Sequence, residues 1–466
     1  MKTKKVFART GVISSVICLA ALSAVSYQQL GATPTSVNPD YSVSVFATGT
    51  AVGFTNPDSI ASHLGYVFVS YTNNAAPDGS VGNSNIVQYS STGQVIRLLA
   101  PVPGSNDGLK YNPFDDTLWA LRNQDANPAV TVFDITNGSS TDLVYANAPL
   151  HGGGYDDVVF VNDQVFLSAS NPKLNAQGQN IYPSIVSATV VGNKIYVAPV
   201  VLGNATLTDI ATGQPTVSPQ SDPDSLTIDP SGDLVLDSQA DGDLIFLRGP
   251  GFPNQAGFRL HLSDGTTNQV QVDDTVFPSA TTGTIYVADT TANVIYAVTS
   301  NAIPPNSAFS ASNSDGTLVR TDLISGQVTP IVTGFISPHG AFFAPALPQI
   351  RLQRASAPLT FGSKEVSASF LVSRTGDITQ ALTVYIRVTD HAKRDRSATS
   401  HLVQVVIPAG KSLVTTSIKL DSIADLNEDA GHQSCVVTVD PDPNYDVVPY
   451  VNDGGVQVVV IPTQTN

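Results

Sequence analysis

The chain has 466 residues, with 22 Lys and Arg against 38 Asp and Glu, a formal net charge of −16. With 13% charged and 42% hydrophobic residues it is not a disordered chain, and its acidity argues against binding nucleic acid through phosphates. Two Cys are too few for a disulfide scaffold or a four-Cys zinc site.

Lys2, Lys4, Lys5 and Arg9 precede an apolar run from Gly11 to about Val25, the pattern of a secretory signal. Small residues at Ala24 and Ser26 place the cut near residue 26 and leave 27–40 as a linker. Removal takes four cations and no acid, so the mature charge becomes 18 against 38, or −20. Cys435 is then the sole thiol, which excludes an intrachain disulfide. No other stretch approaches ~18 uninterrupted apolar residues. The expected location is secreted, periplasmic or cell-surface.

From residue 41 to 345, short runs rich in Val, Ile, Tyr, Phe and Thr alternate with Gly, Asn, Asp and Pro clusters. Tyr66–Tyr71, Thr117–Leu121, Val165–Ala169, Asp233–Asp237 and Thr284–Ala288 are examples. These are strand and turn signals. A turn bearing Asp ahead of an aliphatic residue recurs at Asp58, Asp107, Asp157, Asp224 and Asp274, and a sixth slot carries His339. The two long spacings call for insertions, placed in 171–182 and 301–315. Units of ~40–50 residues with three or four strands have the size of propeller blades. The reading is an all-β chain: a six-bladed β-propeller, with five blades as the alternative, followed by a C-terminal antiparallel β-sandwich. Tyr41–Thr48 is similar to Val328–Thr333, which suits a ring closed by strands from both chain ends.

The stretch Asp224–Ser238, with Ile285-Tyr286-Val287-Ala288-Asp289, resembles the repeat of NHL and SMP-30/gluconolactonase-like propellers. In SMP-30-like lactonases, the resemblance implies, a metal is held on the channel axis by Glu, Asn and Asp from different blades. The chain departs from that pattern, because its only glutamates, Glu365 and Glu428, lie beyond the repeats.

Pro345, Pro348 and Pro358 mark the exit into a second domain, 346–466. Phe370–Ser373, Thr383–Val388, Leu402–Ile407, Ser412–Leu420, Ser434–Val439 and Val456–Ile461 read as six strands of a sandwich. Val372–Asp377 and Val406–Ser412 resemble a Calx-β domain. That resemblance implies calcium at an acidic loop, for which Asp421, Asp425, Glu428 and Asp429 are the candidates.

The repeat slots would gather Asp58, Asp107, Asp157, Asp224, Asp274 and His339 around one mouth of the central channel. Such a ring could take a ligand, or hold Ca²⁺ or another divalent cation through Asp107, Asp157, Asp224 and His339. The same Asp residues could instead cap their own turns through backbone N–H groups. His151-Gly152-Gly153-Gly154 reads as a loop between blades, Trp119 as core, and Cys435 as a strand residue. A chain this poor in His and Glu reads as a binding protein, with an extracellular protein or carbohydrate as partner. A metal-dependent hydrolase or lyase at the channel mouth is the alternative, and a structural surface protein the third reading.

Overall fold

The computed structural model describes residues 33–161, 164–266, 268–354, 366–391, 398–420, 433–447 and 456–461. The signal segment, Cys18, Glu365, Lys393–Arg396 and the acidic loop with Asp421, Asp425, Glu428 and Asp429 lie outside these residues. Among those described, no helix is long and apolar enough to cross a membrane.

The strands of 35–345 form mainly antiparallel units, each with an innermost strand at one edge. The six innermost strands are Pro57–His63, Asn106–Asn112, Val158–Val161, Pro223–Ile228, Thr275–Val276 and Pro338–Pro345. Each packs against the next in this order, and Pro338–Pro345 packs back against Pro57–His63, so the circle closes. This is a β-propeller, held by interfaces rather than by one central core. Apolar clusters join strands of neighbouring units: Trp119 and Leu121 meet Val158, Phe160 and Leu167, and Leu226 and Leu236 meet Val159 and Phe166. Trp119 sits edge-on to Phe160, with ring centroids 5.2 Å apart. The alternating apolar pattern is what allows each sheet to hide both faces.

The first unit, Pro57–Leu98, is a four-stranded meander, with Val102–Pro103 added beside Asn83–Ser84. The second and third share one eight-stranded sheet, because their outer strands pair in parallel through Val144–Lys194 and Tyr145–Ile195. The fourth carries two additional outer strands, Thr206–Asp209 and Pro215–Val217, which lengthen the spacing ahead of Asp224 together with the loop 169–182 of the third, where the sequence placed an insertion.

The fifth and sixth units are interleaved. After the inner strand Thr275–Val276, the chain enters the sixth unit as Gly283–Asp289 and Val294–Ser300. It returns to the fifth as Ala308–Ser312, Thr317–Thr321 and Val328–Thr333. It then supplies the innermost strand of the sixth, Pro338–Pro345. The 65-residue interval before His339 therefore contains a hairpin of the neighbouring unit and not a simple loop insertion at 301–315. The N-terminal segment completes both sheets: Tyr41–Thr48 is the outer strand beside Val294–Ser300, and Thr35–Ser36 pairs with Val332–Thr333. Residues 35 and 36 thus belong to the ring, although the sequence suggested a linker.

Beyond Pro345, two four-stranded sheets enclose a separate apolar cluster. One contains Gln349–Arg354, Val366–Arg374, Leu413–Leu420 and Asp446–Val447, the other Leu382–His391, Ala398–Ile407, Gln433–Val439 and Val456–Ile461. Ile350, Leu352, Phe370 and Val372 of the first face Val384, Ile386 and Val388 of the second, at the period of two that strands impose. Gln349 also donates its amide to the Ser279 hydroxyl of the propeller at 2.6 Å.

Candidate functional site

Cross-strand register fixes which residues are equivalent around the ring. Ile60, Leu109, Leu226 and Ala341 are each the first residue paired after a bulge near the start of an inner strand. Val158 and Thr275 hold the same place, because Asp156 N–H donates to Ser168 C=O as Asp273 N–H does to Ala311 C=O. Two residues before these stand Asp58, Asp107, Asp156, Asp224, Asp273 and His339. The ring is therefore made with Asp156 and Asp273. The sequence places Asp157 and Asp274 in it, but both sit one step further along the strand. These two slots hold Asp doublets, so the spacing alone could not choose between their members.

The six ring side chains act as three pairs of neighbours. Asp58 and Asp107 share a carboxyl hydrogen bond, as do Asp156 and Asp224. His339 Nδ1 lies 2.8 Å from Asp273 Oδ2, and its Nε2 is 3.0 Å from the Ser337 hydroxyl. Gln239 adds a bond to Asp273 at 3.0 Å. Two adjacent carboxyls in a desolvated site cannot both ionise cheaply, so one proton is shared. Burial, reinforced by Asp107 and Asp273, pushes Asp58 well above the usual carboxylate range. Burial likewise raises Asp156 and Asp224 well above it. Asp107 is pushed up to about 6 by burial, partly offset by the bond from Asp58. Burial alone would lower His339, but Asp273 outweighs it and holds the imidazole at about 9. The imidazole is therefore cationic at neutral pH.

The next position has a different task. Asp157 Oδ2 accepts the N–H of Leu226 at 3.0 Å, and Asp274 Oδ2 accepts that of Ala341 at 2.8 Å. Each carboxylate thus ties its unit to the equivalent residue of the following one. Where this position is Gly, the neighbouring backbone comes too close for any side chain. A Cβ on Gly108 would stand 2.2 Å from Asp156 O, and one on Gly340 would stand 2.0 Å from Asp58 O.

Lys110 completes this layer, with its Nζ 2.8 Å from Asp157 Oδ2. Burial would depress its ammonium, but Asp157 and Asp274 outweigh that and keep it above its ordinary value. Asp274 is raised to about 7 by burial, with Lys110 opposing. Asp237, buried, accepts hydroxyl hydrogen bonds from Thr275 and Ser225. Sequence reasoning missed Asp156, Asp273, Asp237 and Lys110. Only the doublets at 156–157 and 273–274 gave a signal.

Among the described residues, no three His, Cys, Asp or Glu side chains converge as metal ligands. The set Asp107, Asp157, Asp224 and His339 is split. Asp157 points to the next unit and Lys110, while His339 is a cation held by Asp273. These residues do not fit a resident divalent ion. His151, buried, bonds to the Gly154 carbonyl at 2.7 Å within its loop.

No family model matches the chain, and no curated protein matches it. Among solved structures, it is similar to a protein described as a gluconolactonase, at 13% identity and a TM-score of 0.37, over 65% of this chain and 99% of that one. The β-propeller domain of Cps50 (Swd1) from Myceliophteria thermophila gives 10% and 0.36, over 67% and 93%. Hydrazine synthase of Kuenenia stuttgartiensis gives 11% and 0.30, over 69% and 77%. At such values the architecture rests on the strand pairing above.

Proposed function

We propose that the chain is an exported binding protein whose propeller takes an extracellular ligand, a carbohydrate or a protein surface, at the acidic mouth. What supports this reading is the ring itself: six side chains at equivalent places on six neighbouring units, set as three adjacent polar pairs. Shared-proton carboxyl pairs accept hydrogen bonds from hydroxyl groups, and an incoming cationic group can replace the shared proton. The test is a glycan array and a panel of cationic peptides, probed with the purified chain and with Asp107→Asn/Asp224→Asn. The reading predicts a ligand whose binding falls about tenfold or more in the double variant. A purified protein carrying one equivalent of calcium, lost in that variant, would favour the metal-dependent hydrolase instead.

A further inference from the structure

Next to the ring positions, residues of five inner strands line a cavity of about 340 Å³, within the size range of small-molecule sites. Its wall is chemically unlike the mouth. Val159, Thr227, Val276 and Phe342 stand one residue beyond the register positions defined above, so four inner strands present equivalent side chains to the cavity. Phe160 and Phe277 extend this apolar surface.

Three charged or acidic side chains also line it: Lys110, Asp237 and Asp274. Lys110 is matched by Asp157 at 2.8 Å, and Asp157 is further held by the N–H groups of Leu226 and Val158. With that pair cancelled, the acidic side chains left over are the carboxyls of Asp237 and Asp274, while the Tyr111 hydroxyl donates to Asp116. Asp237 is engaged by Thr275 and Ser225, while Asp274 takes the Ala341 N–H on Oδ2. Two carboxyls in an aromatic, desolvated wall, with the nearby Lys110 ammonium bound to Asp157, favour a cation, and phenyl faces add to that preference.

We propose that this chamber is a second binding site, for a small apolar organic cation: a primary amine on an aromatic or aliphatic body. The ammonium group sits against Asp274, and the body packs between Val276, Phe342 and Val159. The site uses none of the ring residues, so it stands apart from the mouth reading and goes beyond it.

The test is calorimetric titration of the full chain with benzylamine, benzyl alcohol and benzoate. The expected order is benzylamine tightest and benzoate weakest, with about tenfold or more between them. Asp274→Asn keeps an acceptor for the Ala341 N–H and should abolish the preference for benzylamine over benzyl alcohol. Thr227→Trp fills the chamber from a half-buried position, leaves the charges alone and should remove binding of both. Asp107→Asn/Asp224→Asn should leave benzylamine binding unchanged. Benzoate binding as tightly as benzylamine, no binding of benzylamine, or loss of its binding in the ring variant but not in Thr227→Trp would each overturn the proposal.

Discussion

The two acidic layers of the channel differ by one residue along the strand and behave as different materials. In the ring, Asp58 and Asp107, Asp156 and Asp224, and Asp273 and His339 settle their charges sideways, with a proton or an imidazolium between neighbours. In the layer behind it, Asp157 and Asp274 settle theirs against backbone N–H groups of the following unit and against Lys110. The first arrangement leaves polar groups that a ligand can compete for. The second spends them on joining units. Whether an Asp in a repeat is structural therefore depends on its register and not on its type.

The largest effect separating the layers should come from Lys110→Met. It leaves Asp157 buried without its cation and is expected to cost roughly 3 kcal/mol, because an uncompensated buried charge is costly. Chemical denaturation measures it, and a cost matching that of Asp107→Asn would erase the distinction. A smaller loss, about 1–3 kcal/mol, is expected for Gly340→Ala, whose methyl group would collide with the Asp58 carbonyl at the closure of the ring. A neutral result would mean that the first and sixth units meet less closely than described.

The pH dependence sharpens the same contrast. Asp107 and Asp274 hold protons to about 6 and about 7, against 3.8 in the unfolded chain. Their contribution is complete below pH 3.8 and is lost as pH rises through 6 and 7. His339, raised from 6.5 to about 9, adds stability below pH 6.5 that is lost as pH passes 9. The melting temperature should therefore be higher at pH 5 than at pH 8, and Asp107→Asn with Asp274→Asn should flatten the profile. A protein more stable at pH 8 than at pH 5 would contradict the raised carboxyls.

Much of this was legible in the sequence. The slot at each inner strand carries its own signal, an Asp or His ahead of an aliphatic residue, and alternation in Phe370–Ser373 and Thr383–Val388 marks the second domain's sheets. What was hidden depends on partners distant in the chain. Asp156 and Asp157 are identical in type, and only cross-strand pairing orders them. Lys110 meets Asp157, 47 residues on, across a unit boundary. Gly283–Asp289 reads as a strand of its own repeat, but nothing local says that it pairs with Pro338–Pro345. Gln349–Arg354 is not among the expected strands, because Pro345, Pro348 and Pro358 around it read as the exit from the first domain.

The central claim, that the ring is built with Asp273 rather than Asp274, is tested most directly by NMR titration of the His339 imidazole in three proteins. The expected pKa is about 9 in the native chain. A large drop toward 6.5 is expected in Asp273→Asn and a smaller one in Asp274→Asn, since of the two it is Asp273 that meets the imidazole Nδ1. A native pKa near 6.5, or a larger drop in Asp274→Asn than in Asp273→Asn, would contradict it.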